Sequence, residues 1–294
     1  MEHTKSAGSE QRTCLVTGAS TGIGKEIARQ LARTGATVVL GCRSLARGEV
    51  ARAELVADTG NPRISVMQVD LASQTSVRAF AEQFQRRHPA LHALVNNAGM
   101  WQPHRELGPE GIERIWSTNV LGLHLLTQCL LDLLRASAPA RIVNVASSMA
   151  SDLDLSDVQF ERRPFRGLKV YAATKQADRM LTWAQAERLA GTGVTANAMD
   201  PGFVGRTEVN RHVTGVMSLF FSGLGRLVGR SPAQGADTAS WLVLSPELEG
   251  VSGRFFKDRK ELPCQFRDPA EQRRLWELCE EMTRPRDAAV RAAG

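Results

Sequence analysis

Short apolar runs alternate with longer amphipathic segments along most of this chain, and the two patterns predict different elements. The apolar runs have the length of buried strands and lie at residues 13–16, 37–40, 64–69, 93–95 and 142–145, with two more at 194–199 and 253–256. Between them, apolar positions recur about every 3.6 residues and predict helices at residues 24–34, 47–59, 73–87, 110–136 and 171–190. Gly35 and Gly191 stand where two of these helices are expected to end.

This alternation predicts a doubly wound α/β fold. Strand–helix–strand units with right-handed crossovers give a parallel sheet, here of about seven strands, with helices on both faces. We expect a single domain over residues 1–294. Within it, residues 1–11 are expected to be flexible, residues 206–231 to form an insertion near the substrate, and residues 264–294 to form a helical tail.

The composition fits a globular enzyme with a core of its own. Apolar residues make up 43% of the 294 residues and charged residues 23%, close to the globular average, so neither disulfides nor a metal ion is needed for stability. The formal charge of +6 comes largely from arginines scattered along the chain. That distribution favours anionic small ligands and predicts no nucleic-acid partner.

The cysteines and the termini indicate the compartment. The five cysteines are widely spaced and none forms a C-x-x-C pair, so we expect reduced thiols and no metal site. The polar N-terminal segment lacks the apolar centre of a signal peptide. No uncharged apolar run approaches the ~18 residues that a membrane span requires. We therefore expect a soluble, cytoplasmic protein.

A glycine-rich turn, V-T-G-A-S-T-G-I-G, follows the first predicted strand directly. Glycines alone often serve tight turns, but between a strand and a helix they let backbone N–H groups approach a phosphate. The pyrophosphate of a bound dinucleotide then lies at the positive end of the helix dipole. We predict cofactor contacts from Gly18, Ser20, Gly22, Ile23 and Gly24.

The end of the second strand carries a base where an acid is common. Nucleotide sites that prefer NAD usually place a carboxylate there to hold the ribose hydroxyls. This chain has Cys42 and Arg43 instead. A guanidinium can clamp a 2′-phosphate that a carboxylate would repel, so NADP(H) is the predicted cofactor. The alternative is an ordinary surface arginine.

Two further strand ends fit the same crevice, because ligands of open α/β sheets bind beyond the carboxyl ends of the strands. Asp70 and Leu71 follow the third strand, where a short carboxylate can accept the adenine amino group. Asn97, Ala98 and Gly99 follow the fourth strand, and their small size allows the backbone to approach a ribose.

Four polar residues are candidates for chemistry. Tyr171, the only tyrosine of the chain, precedes Lys175 by four residues and so shares a helix face with it. Ser148 follows the fifth strand, and Asn119 lies among apolar neighbours in a predicted helix. Taken separately, each has a structural alternative, such as a packed ring, a solvated lysine or a buried amide with a partner.

Taken together, the motifs resemble the short-chain dehydrogenase/reductase family. They occur in the family's order and cover most of the chain: T-G-x-x-x-G-I-G at residues 17–24, N-N-A-G at 96–99, Asn119, Ser148, Y-x-x-x-K at 171–175 and the Pro201-Gly202 pair. The resemblance implies a Rossmann-type fold and a nicotinamide cofactor. It also implies an Asn–Ser–Tyr–Lys tetrad, which falls on Asn119, Ser148, Tyr171 and Lys175.

The retinol-dehydrogenase-like branch of that family is the most similar one. G-C-R-S-L-A-R-G-E after the second strand, the long segment before Tyr171 and the C-terminal tail all resemble it. No counterpart of the N-terminal membrane anchor of several animal members is expected. Asp200 stands where such members usually have histidine. The resemblance implies contacts to the nicotinamide amide from Pro201, Gly202 and Val204.

The predicted chemistry is carbonyl reduction. A free phenol has a pKa near 10, and the ammonium of Lys175 is expected to lower the pKa of Tyr171, the proton donor. Lys175 would also hold the nicotinamide ribose, and Tyr171 is likewise predicted to contact the cofactor. Ser148 would polarise the carbonyl oxygen, and Asn119 would position a water that links Lys175 to solvent. Reduction is the expected direction, because cellular NADPH is mostly reduced.

The substrate end is less constrained. Residues 211–230 are apolar and flanked by basic residues, which leaves a substrate lid, a weak peripheral membrane contact and a packed helix as open interpretations. Trp101, Met149 and Phe203 are candidates to line an apolar substrate pocket, with plain packing as the alternative. An NADP(H)-binding sensor without turnover is the alternative function. The chain is expected to be a monomer or a homodimer.

Overall fold

The computed structural model describes residues 12–204 and 229–285. Within these residues an eight-stranded sheet runs in the order β3-β2-β1-β4-β5-β6-β7-β8. Its strands are β1 (Thr13–Thr17), β2 (Thr37–Cys42), β3 (Ile64–Gln68), β4 (Ala93–Asn96), β5 (Ala140–Val145), β6 (Val194–Met199), β7 (Phe255–Lys257) and β8 (Lys260–Leu262). All neighbouring strands pair in parallel except β7 and β8.

The helices connect these strands as the alternating pattern predicts. They are α1 (Gly22–Ala32), α2 (Leu45–Thr59), α3 (Gln74–Arg87), α4 (Arg114–Trp116), α5 (Gly122–Ala136), α6 (Gly167–Arg188), α7 (Pro232–Leu244) and α8 (Pro269–Thr283). A π-helix, Ser117–Leu121, joins α4 to α5, and a 3₁₀ turn, Pro246–Leu248, follows α7.

Helices bury both faces of the sheet. Successive side chains of a strand point to opposite faces, so each strand contributes to both cores. On β1, Cys14 and Val16 pack in the core beneath α1, α2 and α7. Leu15 between them packs in the core beneath α3 and α5. On the same side as α3 and α5, Trp183 of α6 packs against Ala198 of β6. The predicted doubly wound α/β fold is therefore confirmed.

Three details differ from the sequence-based expectation. The sheet has eight described strands, because the chain turns back after β7 and adds β8 antiparallel at the edge. The helix predicted from residue 110 begins at Arg114, where the Glu113 carboxylate accepts hydrogen bonds from the N–H groups of Ile115 and Trp116. The predicted insertion at 206–231 lies outside the described residues except for its last three.

In the described residues, no helix combines the length and the apolar character that a membrane crossing requires.

Candidate active site

The glycine turn leaves the start of α1 open to a ligand. Gly18 has a positive φ of 66° and its N–H donates to the Gly41 carbonyl at 2.8 Å, which fixes the turn against β2. Thr21 precedes the helix in an extended conformation and its side chain makes no capping hydrogen bond. The first N–H groups of α1 therefore keep their capacity to bind an anion. These residues fit a dinucleotide pyrophosphate.

A bracing network holds this turn against the end of β4. The Asn97 amide donates to the Thr17 carbonyl at 2.8 Å, and the Thr17 hydroxyl accepts from the N–H groups of Asn97 and Ala98 at 3.0 Å. A Cβ on Gly24 would lie 2.5 Å from the Gly18 carbonyl oxygen. Only glycine fits there, so the predicted cofactor residues of two strand ends form one compact unit.

The ends of β2 and β3 border the same edge of the sheet. Arg43 directly follows β2 with an exposed side chain, and its guanidinium has no hydrogen bond or ion pair within residues 12–204 and 229–285. Asp70 follows β3, and its Oδ1 accepts from the Ala72 N–H at 3.0 Å. Leu71 is buried against Gly122. Arg43 is therefore available to an anion beside the glycine turn.

Tyr171 and Lys175 share one face of α6, as their spacing predicts. The Lys175 ammonium lies 5.7 Å from the centre of the Tyr171 ring. It donates to the Val145 carbonyl at 3.0 Å and to Asp178 Oδ2 at 2.8 Å, and the lysine is only 3% exposed. The position of the ammonium is thus determined by the end of β5 and by the next turn of its own helix.

Asn119 lies in the π-helix between α4 and α5, the kind of local distortion often found at functional sites. Its side chain is paired with the backbone of Met100, accepting from the N–H at 2.8 Å and donating to the carbonyl at 2.9 Å. The amide also donates to the Thr174 hydroxyl at 3.1 Å. A Cβ on Gly99 would meet Lys175 Nζ at 3.7 Å and Asn119 Oδ1 at 3.8 Å, so these groups converge on one spot.

Ser148 lies after β5 with its hydroxyl already engaged. It donates a short hydrogen bond to Asp200 Oδ2. The Asp200 carboxylate is buried and also accepts from Lys257 Nζ at 3.0 Å and from the Gly202 N–H at 2.9 Å. Because an ionised carboxylate only accepts hydrogen bonds, the hydroxyl hydrogen of Ser148 points toward Asp200. Donating to a carbonyl oxygen then requires rotation of that hydroxyl.

The charges around Tyr171 differ from the sequence-based expectation. Burial raises the pKa of the phenol above its usual value near 10, Lys175 acts to lower it, and the carboxylates of Asp178 and Asp200 raise it further. The expectation of a lowered pKa considered the ammonium alone. Burial acts to lower the pKa of Lys175, but the charge and hydrogen bond of Asp178 together with Tyr171 outweigh burial, and the net pKa is raised.

The segment after β6 reaches the glycine turn. Gly202 has a positive φ of 72° beside the Arg230 side chain. Val204 is buried, and Gly235 at the start of α7 packs against both Val204 and Ile23 of the glycine turn. The structure therefore brings the Pro201–Val204 stretch and the pyrophosphate turn to the same edge of the sheet.

The three substrate-pocket candidates are placed differently. Met149 is 53% exposed and Phe203 is 42% exposed, large values for apolar side chains. Trp101 packs instead against Gly167 at the start of α6, one turn before Tyr171. Its indole nitrogen is buried and has no hydrogen-bond partner in the described residues. Trp101 thus supports α6, whereas Met149 and Phe203 present apolar surface.

A family model described as short chain dehydrogenase matches residues 12–215, which is more than half of the chain. The chain belongs to the short-chain dehydrogenase/reductase family. This short-chain dehydrogenase is therefore an oxidoreductase, and its family uses the nicotinamide cofactors NAD(P)(H).

The relatives of this short-chain dehydrogenase include retinol dehydrogenases. Mouse retinol dehydrogenase 13 is 39% identical over 274 residues, an alignment that covers 90% of this chain and 81% of the mouse protein. The predicted resemblance to the retinol-dehydrogenase-like branch is thus confirmed.

Solved structures show the same architecture. An uncharacterised protein from Mycobacterium paratuberculosis has a TM-score of 0.74 and 26% identity, with 93% of each chain covered. A short chain dehydrogenase from Escherichia coli CFT073, complexed with NADPH, has a TM-score of 0.65 and 25% identity, covering 83% of this chain and 95% of that one.

Two carboxylates at the site escaped the sequence-based prediction. Asp178 lies three residues after Lys175, a spacing that allows an ion pair on a helix, so a search of α6 for charged neighbours of Lys175 could have found it. Asp200 stood out as a departure from its relatives. Nothing in the sequence linked it to Ser148, 52 residues earlier, or to Lys257, 57 residues later.

Proposed function

We propose that this short-chain dehydrogenase uses NADP(H) and reduces a lipophilic aldehyde or ketone to the alcohol, reversibly, with Tyr171 as the general acid and base. The observation that carries the proposal is the meeting of the Lys175 ammonium and the Asn119 carbonyl beside Gly99, next to the glycine turn. Tyr171 lies on the same helix face as Lys175, whose Nζ is 5.7 Å from the centre of the phenol ring. A carbonyl above Tyr171 would therefore lie beside the cofactor.

The cofactor side of the proposal rests on three strand ends and on Lys175 of α6. A bound nicotinamide supplies the hydride for reduction and accepts it in the reverse direction. The glycine turn would hold the pyrophosphate, Asp70 the adenine, and Lys175 the nicotinamide ribose. Arg43 supports the choice of NADP(H), because an exposed guanidinium at the end of β2 suits a 2′-phosphate.

The acid–base side rests on the protonation of Tyr171. Since burial and two carboxylates raise the pKa of the phenol, it keeps its proton at neutral pH and can give it to the developing alkoxide. Ser148 would contact the same oxygen, and Asn119 would position a water near the ammonium. The residues of the chain thereby orient the substrate and deliver the proton.

The substrate side rests on apolar surface and on the relatives. Met149 and Phe203 expose large apolar side chains on segments that also carry Ser148 and Pro201. A lipophilic carbonyl compound fits that surface, and the name of the mouse relative makes all-trans-retinal the first probe. We place the enzyme in the cytoplasm, as a monomer or homodimer. The proposed weak membrane contact of residues 211–230 falls almost entirely outside the described residues.

The test is NADPH oxidation in the presence of all-trans-retinal, decanal and a steroid ketone, with NADH in parallel. We expect turnover of at least one compound and a preference for NADPH. Tyr171→Phe should lower kcat by at least about a hundredfold, the usual contribution of general acid catalysis. NADPH affinity, measured by fluorescence titration, should change little, because the ring remains.

Two results would contradict the proposal. Full turnover by Tyr171→Phe would remove the tyrosine from the mechanism. NADPH binding by the wild type without turnover of any carbonyl compound would favour the sensor function instead. Phe165→Leu, another aromatic substitution shortly before Tyr171 in the chain, serves as the control for non-specific loss.

A further inference from the structure

Lys175 and Asp178 form a buried ion pair beneath the proposed reaction site. Their side chains are three residues apart on α6, with Nζ and Oδ2 separated by 2.8 Å, and are only 3% and 7% exposed. A buried ammonium without a counter-charge would be costly. Asp178 supplies that counter-charge, and Val145 supplies a second acceptor at 3.0 Å.

Behind Asp178 lies a small polar cavity of about 20 Å³, lined in part by Asn96, His124, Asn144 and Gln185. Both ring nitrogens of His124 and the side-chain oxygen of Asn96 are buried and have no partner in the described part of the chain. A cavity of this size holds one water, and buried polar groups nearly always have a partner. A water here would give one ring nitrogen of His124 a partner and solvate the Asp178 carboxylate.

We propose that Asp178, hydrated from this cavity, is a positioning residue that holds Lys175 in place and opposes its charge at the phenol ring, which keeps the proton on Tyr171. The proposal rests on the proposed function for the role of Tyr171 as proton donor. Its geometric basis is a chain of contacts from the cavity through Asp178 to Nζ, which lies 5.7 Å from the centre of the phenol ring.

The charges that face the pair come from several elements. Burial raises the pKa of Tyr171, Lys175 lowers it, and Asp178 and Asp200 raise it. Without Asp178, only burial and Asp200 would oppose the effect of the Lys175 charge, so the phenolate would become more favourable. The titratable and charged groups that face the pair are Tyr171 on α6, His124 on α5, Asp200 after β6 and Cys279 on α8. Strands β4 and β5 contribute only the neutral amides of Asn96 and Asn144 to the cavity.

The single tyrosine makes a direct test practical. Protein labelled with ¹³C at tyrosine Cζ gives one NMR signal, which reports the protonation of Tyr171 without assignment and without substrate. In the wild type we expect the phenol form to persist to higher pH than in a free tyrosine. In Asp178→Asn the signal should move to the phenolate position at a clearly lower pH, because one of the two carboxylates that oppose the Lys175 charge is then removed. Asp178→Glu, which keeps the charge, should titrate like the wild type.

A titration midpoint of Asp178→Asn equal to or above that of the wild type would overturn the proposal. Asp157→Asn is the matched control, since it removes another buried carboxylate that contacts Arg163 and not Lys175. Circular dichroism would verify that the variants are folded. If Asp178→Asn does not fold, Asp178→Glu still tests the proposal, because a midpoint different from that of the wild type in this charge-conserving variant would contradict it. A dry cavity in a high-resolution crystal structure would contradict the hydration of Asp178.

The titration of Tyr171 and the carbonyl-reduction assay can fail separately. If the protein reduces no carbonyl compound, the proposed function fails while the titration still decides the role of Asp178. If it does reduce a probe, the pH profile should follow the titration. The loss of reductase activity at high pH should then begin at a lower pH in Asp178→Asn than in the wild type.

Discussion

At the scale of single residues, three of the four proposed catalytic side chains have a hydrogen-bond partner that determines their position. Lys175 is held by Asp178, Asn119 by the backbone of Met100, and Ser148 by Asp200. The Asp200 bond is the most consequential for substrate binding. A hydroxyl has a single hydrogen, and in this structure Ser148 directs it to the carboxylate and turns its lone pairs elsewhere.

Asp200→Asn is predicted to strengthen carbonyl binding. The amide can donate to Ser148 Oγ, which frees the hydroxyl hydrogen for the substrate oxygen. One gained hydrogen bond corresponds to roughly a two- to tenfold lower KM. The measurement is steady-state reduction of all-trans-retinal with saturating NADPH.

The double variant Asp200→Asn, Lys257→Met is measured in parallel. In the single variant the new amide nitrogen could face Lys257 Nζ, which would place two hydrogen-bond donors together, and Lys257→Met removes that conflict. It should show the lower KM more clearly than the single variant. An unchanged or higher KM in both variants would show that Ser148 does not need its hydrogen released.

At the scale of elements, the π-helix and the glycine turn carry the site. Asn119 is turned toward Gly99 because the helix widens at Ser117–Leu121. The glycine turn is fixed just as tightly, since Thr17 and Asn97 tie the ends of β1 and β4 together. The helix start and the strand ends must therefore move as one unit.

Gly24→Ala should weaken NADPH binding by about tenfold or more, equivalent to about 1.4 kcal/mol. The added Cβ would stand 2.5 Å from the Gly18 carbonyl oxygen, so the turn has to open. Isothermal titration with NADPH measures the effect. In Gly41→Ala, the control, the Cβ meets its neighbours at 3.5 Å. Equal affinities for wild type and Gly24→Ala would show that the turn tolerates opening.

At the scale of the whole molecule, a polar layer joins the sheet to the helices beneath the site. Asn96 donates to Thr127 of α5 at 3.0 Å and to Asn144 of β5 at 2.9 Å. Asn144 donates in turn to Thr182 of α6 at 2.8 Å. These bonds fix α6, and with it Tyr171 and Lys175, to the centre of the sheet.

His124 in this layer predicts how stability depends on pH. Burial lowers its pKa to about 4, below the usual 6.5. Below pH 6.5 the unfolded chain gains a proton that the folded chain resists, so stability falls as the pH drops. Between pH 7 and pH 5 this amounts to about 2 kcal/mol. Urea unfolding at both pH values should show a smaller loss for His124→Phe than for the wild type.

The matched control for that prediction is His104→Phe, because His104 is exposed. It should keep the pH dependence of the wild type. If His124→Phe loses as much stability as the wild type between pH 7 and pH 5, another group is responsible for the acid destabilisation.

The order of strands and helices follows from the sequence alone, because periodicity and glycine placement are local properties of the chain. The same holds for the spacing of Tyr171 and Lys175, which one helix face determines. The start of α4 was less predictable, since the Glu113 cap and the Leu107–Glu113 bridge compete with helix propensity.

Tertiary structure alone decided which distant groups meet and what charge they favour. Ser148 meets Asp200 and Lys257 because β5, β6 and β7 are neighbours in the sheet. The direction of the Tyr171 pKa depends on burial and on three charges at once. Sums of that kind require distances, which a sequence pattern does not contain.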